Sequence, residues 1–372
     1  MQTDTKPNLL VYTPMNVRYG GGFEEWLQKT TELLSTNYNV EIVSGLIGTP
    51  LRQSPEEAQK LFAAARSLTY VRFLKVLWVY FITPSSFMRL LRRFQAADYV
   101  YFNYAFIGQE LLVRILSRMT RKKVLVGFHA PLHFASGHDL LFDNYARRIL
   151  KAFDSFHVVN PGDKLVLEGY GFKPIHFIPN YIWAKDIQNV VETGSKKFIF
   201  VGRFEMQKGI DILVKALKLA LKGPDRGELS FAFFGSGSLG PQVDALVRQY
   251  PKNIVNHGYI SEKSSIYKDA AFIMVTSRQE PFGLVILEAM SMGVTPICSV
   301  TAGSQLLIRD GYNGMTIADL SPGGIANAIL AASKLSSAER SKLASNAIGE
   351  VRKHYTEITF RRKFEGALEA LR

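Results

Sequence analysis

Short apolar runs alternate with amphipathic stretches along this chain, and the alternation happens twice. In the first half, strand-like runs fall at 8–13, 40–44, 99–104, 123–128, 156–160 and 176–179, with helix-period stretches at 23–34, 109–119, 140–153 and 162–169. From residue 197 the pattern restarts. Strands are expected at 197–202, 229–234, 253–259, 272–276 and 295–299, and helices at 209–221, 240–249 and 284–292. The tail reads as helix over 321–334, 337–354 and 359–371. Strands alternating with helices argue parallel sheets with helical crossovers. A chain of 372 residues exceeds one compact core and suits two such domains. The expected division is 1–180, 181–354, and a terminal helix, 355–372, that crosses back to the first domain. In sheets of this kind ligands bind beyond the carboxyl ends of the strands, so two facing sheets would place a site between them.

Composition changes this picture little, and charge changes it more. Hydrophobic residues make up 47% and charged residues 21%, as in ordinary globular proteins. The one cysteine, Cys298, excludes an internal disulfide and fits a reducing compartment. Met1–Lys6 has no charged-then-apolar leader. The longest apolar run, 75–89, is broken by Pro84 and is too short for the roughly 20 residues of a membrane span. A cytoplasmic protein is the expectation. The net charge is +13, and residues 51–123 alone hold thirteen Lys/Arg against four acids. Such a field attracts phosphates of lipid headgroups or of nucleic acid.

Two apolar stripes are interleaved with this charge. Tyr70, Phe73, Leu74, Leu77, Trp78 and Phe81 recur at helical spacing, as do Phe87, Leu90, Leu91 and Phe94 beyond Pro84. The first stripe fits packing on a sheet at least as well as a bilayer. The second has Arg89, Arg92 and Arg93 beside it, the arrangement of an interfacial helix on an anionic membrane. Arg89, Arg92, Arg93 and Trp78 are therefore the expected membrane contacts.

The chemistry concentrates in two segments of the second half. In Gly202-Arg203-Phe204-Glu205-Met206-Gln207-Lys208-Gly209, Arg203 ends a strand and Lys208 opens a helix. Free amides and the positive dipole end of a helix, with two cations beside them, suit a diphosphate. Basic residues at helix starts are also common surface features. In Glu280-Pro281-Phe282-Gly283-Leu284-Val285-Ile286-Leu287-Glu288, Gly283 allows close approach of backbone amides to a ligand. Glu288 sits on an apolar background and requires a partner, for which ribose hydroxyls are suitable. Two carboxylates and two cations are the equipment for holding a nucleotide sugar.

These segments resemble the donor-binding region of retaining glycosyltransferase family four. The likeness runs through Phe200-Val201-Gly202-Arg203, Lys208-Gly209, Gly235-Ser236-Gly237, His257-Gly258, and Ser277 through Glu288 to Gly293 and Pro296. It is specific over about 197–314 and looser over 8–180. The resemblance implies the GT-B fold: two Rossmann-like parallel-sheet domains facing a central cleft, an acceptor domain first and a donor-binding domain second. It implies that Arg203 and Lys208 contact the donor diphosphate, Glu288 the ribose and Glu280 the sugar. Gly202, Gly237, Gly258, Phe282, Gly283 and Leu284 would complete the donor site. The family's glycine-rich loop after the first strand corresponds to Gly20-Gly21-Gly22, so Gly21 and Gly22 would approach the phosphates. A histidine reaching the donor sugar corresponds to His129, although a single histidine by itself is more often structural.

His129, His133 and His138 match no strong metal-ligand spacing, and the sequence has no Asp-x-Asp pair. Metal-independent transfer without a cofactor is the expectation, with the nucleoside diphosphate sugar as co-substrate, UDP-sugar ahead of GDP-sugar. The chain departs from the family in two places. Where Gly-Gly-x-x-Glu is usual it has Thr301-Ala302-Gly303-Ser304-Gln305-Leu306, and where the linker strand usually ends in Asn-Gly it has Asn180-Tyr181.

The expected protein is thus a retaining hexosyltransferase, peripheral on the inner face of the plasma membrane. Its acceptor would be a glycolipid or lipid-linked oligosaccharide of bacterial-type surface glycan assembly. The rival reading is a nucleic-acid-binding or DNA-modifying GT-B protein, motivated by the basic segment. A catalytically silent scaffold is a third, opposed by the intact Arg203, Lys208, Glu280 and Glu288.

Overall fold

The computed structural model describes residues 6–18, 22–47, 54–76, 79–105, 108–129, 144–188, 196–223, 229–260 and 262–372. The chain forms two compact units, residues 1–180 with 358–372, and residues 181–357. The return to the first unit thus begins three residues later than 355.

The first unit runs β1 (Asn8–Met15), α1 (Gly22–Leu34), β2 (Asn39–Ile47), α2 (Pro55–Leu61), β3 (Ser67–Val71), β4 (Phe73–Val76), β5 (Val79–Ile82), α3 (Pro84–Ala96), β6 (Tyr99–Tyr104), α4 (Gln109–Thr120), β7 (Val124–Phe128), α5 (Asn144–Leu150), β8 (Ser155–Val158), α6 (Pro161–Gly169) and β9 (Ile175–Phe177). Seven strands form a parallel sheet in the order β3-β2-β1-β6-β7-β8-β9. Every residue of β6, β7 and β8 is buried, the mark of a strand covered on both faces.

The second unit runs β10 (Lys197–Val201), α7 (Ile210–Ala220), β11 (Ser230–Phe234), α8 (Gly240–Gln249), β12 (Ile254–Asn256), α9 (Lys263–Tyr267), β13 (Ala270–Val275), α10 (Leu284–Ser291), β14 (Thr295–Ser299), α11 (Ala302–Leu307), β15 (Met315–Ile317), α12 (Pro322–Ser333) and α13 (Ser337–His354). Its sheet is parallel too, in the order β12-β11-β10-β13-β14-β15. Phe198, Phe200, Phe204, Phe231 and Phe233 pack its core with Leu213 and Leu217 of α7. The last helix, α14 (Glu357–Glu369), lays Phe360 and Phe364 on Trp26 of α1 in the first unit.

The structure corrects the two apolar stripes. Residues 70–76 and 79–82 do not form a helix: they end β3 and pair as the antiparallel strands β4 and β5, in which Leu74 faces Phe81. A spacing of seven suits two turns of helix and also two partners in a short hairpin, and this aromatic and β-branched run takes the strand option. Leu77 and Trp78 lie outside the described residues. The second stripe is helical, opened by Pro84 at its first turn. Its apolar face, Leu90, Leu91 and Phe94, is buried in the core of the first unit. That face is therefore taken up by the core and is not offered to a bilayer; Met88, on the other side of the helix, is exposed. Arg93 bonds Glu41 at 2.9 Å, whereas Arg89 and Arg92 are exposed.

Candidate functional site

The polar motifs of the second unit gather at the carboxyl ends of β10 and β13, which are neighbours in the sheet. The 203–209 segment leaves β10 and a short helical turn at Met206–Lys208 delivers it to α7. Gly209 makes the junction. Its φ is +71°, and a Cβ there would lie 2.1 Å from the Thr276 carbonyl oxygen. The chain closes this tightly only with glycine. Thr276 Oγ1 donates back to the Lys208 carbonyl at 3.0 Å, and the Arg278 amide donates to Gln207 O at 2.8 Å. Arg278 also forms a bidentate pair with Asp211, both bonds 2.8 Å, and bonds the Met206 carbonyl. The loop after β10 and the loop after β13 are thus one stitched unit.

At its centre, Lys208 Nζ donates to Glu280 Oε2 at 2.5 Å, with the lysine side chain 22% and the carboxylate 11% exposed. Ser277 Oγ lies 3.5 Å from the same oxygen. The Glu280 carbonyl accepts from the Gly303 amide at 2.8 Å, so the departing 301–306 segment still serves the site through its backbone. Thr301 and Ser304 cap α11 there reciprocally. Arg203 is exposed beside this pair in sequence and reaches Gln207 at 3.4 Å.

The glycines expected in the donor site occupy the neighbouring strand ends. The Gly202 amide bonds Phe234 O at 3.0 Å, and the Gly235 amide bonds Gly258 O at 2.7 Å. Gly237 packs directly on the Phe204 backbone. Glu205 accepts from the amide and hydroxyl of Ser238, at 3.0 and 2.6 Å, which fixes this loop and lowers the carboxyl pKa. Gly283 caps α10 with φ +88°; Leu284 is its first residue, and Phe282 is buried edge-on to Tyr355.

Glu288 has a contact of its own. It is buried on α10, where the Tyr267 hydroxyl donates to its Oε2 at 3.1 Å. The partner that its apolar surroundings require is therefore present within the protein. Cys298 is buried, and desolvation, with Glu280 as a smaller cause, pushes its thiol pKa up.

The first unit holds a second polar cluster. The Tyr101 hydroxyl lies 2.8 Å from His129 Nε2 and 2.9 Å from His157 Nδ1, and His157 Nε2 lies 2.9 Å from the Ile178 carbonyl. A carbonyl only accepts, so His157 carries its proton on Nε2 and accepts at Nδ1 from Tyr101. The tyrosine oxygen then accepts from His129 Nε2–H, leaving Nδ1 of neutral His129 as its lone-pair nitrogen. Trp26 packs on His129 with centroids 4.2 Å apart, and Phe23 packs at 5.2 Å. Desolvation, then the neighbouring His157, holds His129 well below the usual imidazole range, and burial takes His157 down to about 4.

Tyr101 is on β6 and His157 on β8, with β7 between them. Gly127 of β7 makes the bridge possible: a Cβ there would stand 1.7 Å from the Tyr101 oxygen. Tyr101, His157, Ser277 and Tyr267 have no site role in the sequence reading. Only strand register brings the first two to His129, and no local signal marks them. Gly21, His133 and His138 lie outside the described residues, while Gly22 begins α1.

Residues 195–334 match the family model described as glycosyl transferases group 1. An uncharacterized glycosyltransferase of Methanocaldococcus jannaschii is 30% identical over 174 residues, 45% of this chain and 44% of that protein. An uncharacterized 41.2 kDa protein in the cps region of Klebsiella pneumoniae is 30% identical over 132 residues, 35% of each chain. The chain thus spans less than half the length of either relative. Among solved structures, Anabaena HepE in complex with UDP and glucose superposes with a TM-score of 0.78, covering 98% of this chain and 100% of that one at 15% identity. That likeness speaks for the fold. The likeness to glycosyl transferases group 1 is thus carried by residues 195–334, within a chain of GT-B fold.

Proposed function

We propose that this protein is a retaining hexosyltransferase that moves a sugar from a nucleoside diphosphate sugar to a hydroxyl of a glycolipid or lipid-linked oligosaccharide in surface glycan assembly. The observation that carries the reading is the Lys208–Glu280 contact at the mouths of two adjacent parallel strands, where such sheets receive ligands. In this reading Lys208 and Arg203 take the charge of the departing diphosphate without a metal. Glu280 orients the sugar, Glu288 with Tyr267 meets the ribose, and the unprotonated Nδ1 of His129 is available to accept from a hydroxyl. The acceptor attacks from the face that the diphosphate leaves, and a phosphate oxygen takes its proton. UDP is preferred over GDP as the donor nucleotide, a choice supported by the UDP named for the Anabaena protein. The cps region named for the Klebsiella relative supports surface glycan. No described helix is long and apolar enough to cross a membrane, so the enzyme would work as a peripheral protein on the cytoplasmic leaflet.

A thermal-shift screen of nucleotide sugars tests this. A cognate donor at 100 times its dissociation constant stabilises by roughly 2.7 kcal/mol. The shift is expected with a UDP-sugar and is expected to be lost in Arg203→Ala/Lys208→Ala. Absence of a shift with every nucleotide sugar overturns the proposal.

A further inference from the structure

Three adjacent helices of the first unit share an unusual surface. Right-handed crossovers place α3, α4 and α5 on one face of the sheet, and α4 packs between the other two. Their inward residues are buried: Leu90, Leu91 and Phe94 of α3, Val113 and Leu116 of α4, Leu150 of α5. Outward, α3 exposes Met88, Arg89 and Arg92, α4 exposes Leu111, Ile115, Arg118 and Met119, and α5 exposes Arg148. Leu111, Ile115 and Met119 recur every four residues, one continuous apolar ridge with Arg118 beside it. The three helices contain a single acid, Glu110, and it is fully buried, its two carboxylate oxygens sharing the Gly108 N–H at 2.9 and 2.7 Å. Acids at the ends of the layer are likewise occupied by backbone: Asp98 by the Asn8 amide at 2.7 Å and Asp154 by the Val124 amide at 3.1 Å.

We propose that this α3–α4–α5 layer is the face on which the protein docks to an anionic lipid bilayer, its methionines and aliphatics entering the headgroup region between arginines that meet lipid phosphates. The inference rests on the lipid-linked acceptor proposed above and assigns the surface that reaches it. Arginines spread around an apolar ridge, with no exposed acid on the three helices, fit a fluid sheet of negative headgroups. They fit a polynucleotide less well, since the ridge would remain in water. Compared with the sequence expectation, the docking face keeps Arg89 and Arg92, loses Arg93 to Glu41, and gains Arg118 and Arg148 from helices the stripes did not include.

The test is co-sedimentation of the full chain with vesicles of phosphatidylcholine, alone or mixed with phosphatidylglycerol. Binding is expected only to the mixed vesicles. Each cation near such a surface contributes about fivefold, so Arg89→Gln/Arg92→Gln/Arg118→Gln/Arg148→Gln is expected to lower partitioning by roughly 10²–10³. Ile115→Ser/Met119→Ser is expected to weaken it as well. Neither set changes the thermal shift by nucleotide sugar, which separates failure of the docking face from failure of the donor site. Should the quadruple variant not fold, the wild-type chain decides: partitioning is expected to fall steeply in high salt, where screening shortens to about 3 Å. Binding indifferent to headgroup charge or to salt overturns the proposal. So does retention on oligonucleotides without retention on mixed vesicles.

Discussion

The two polar clusters solve opposite physical problems. In the second unit, Lys208 and Glu280 are charged, partly exposed and joined in a single contact of 2.5 Å on loops stitched by backbone bonds. In the first unit, His129, Tyr101 and His157 are neutral, set among aromatic rings, and linked in a chain that ends on a carbonyl. A charged pair at the carboxyl ends of two central strands, with part of each side chain open to water, can exchange partners with a charged ligand. A neutral buried chain cannot exchange partners without leaving a polar group unsatisfied. It therefore holds structure and fixes which nitrogen of His129 is available.

The strongest way to break this contrast is at Lys208. Lys208→Met is expected to cut sugar transfer by about 10²–10³. The urea midpoint should move by less than about 1 kcal/mol equivalent, as for partly exposed pairs. Steady-state kinetics beside urea denaturation checks both, and a large stability loss would place the pair with the structural cluster.

The reverse pattern is expected at the buried chain. Tyr101→Phe leaves His129 and His157 without their shared partner, at a cost of about 1–3 kcal/mol. Gly127→Ala, whose Cβ would occupy the place of the tyrosine oxygen, is expected to fall in the same range. Equilibrium unfolding measures both. A change below a few tenths of a kcal/mol in both would remove the chain's structural role.

A smaller effect concerns pH. The folded His157 has a pKa near 4 against 6.5 for the unperturbed group. The unfolded chain therefore binds a proton between those values that the folded chain refuses. The resulting stability is complete above the unfolded pKa and is lost as pH falls through this window, by up to about 1.4 kcal/mol per pH unit. His129 acts with the same sign. Urea midpoints across the window should decline toward acid; a flat profile contradicts the neutral buried pair. The smallest effect is expected at the partly exposed Arg278–Asp211 pair, where Arg278→Ala should cost about 1 kcal/mol.

The sequence by itself determined a good deal. Helix 240–249 and strands 99–104 and 295–299 stand where periodicity puts them, because in a fully covered parallel sheet each strand is a short apolar run bounded by turn residues. The Lys208 and Glu280 motifs were legible because both lie on short loops, where local spacing and chemistry travel together. Tertiary structure alone decided three things. It turned the stripe over 70–76 and 79–82 into strands, since one spacing serves a hairpin as well as a helix. It buried the face of α3 beside its arginines, since amphipathicity says that a face is covered and not by what. It also brought Tyr101 and His157 to His129 across Gly127, by a strand register that joins residues 56 positions apart, and no local pattern encodes a contact of that range.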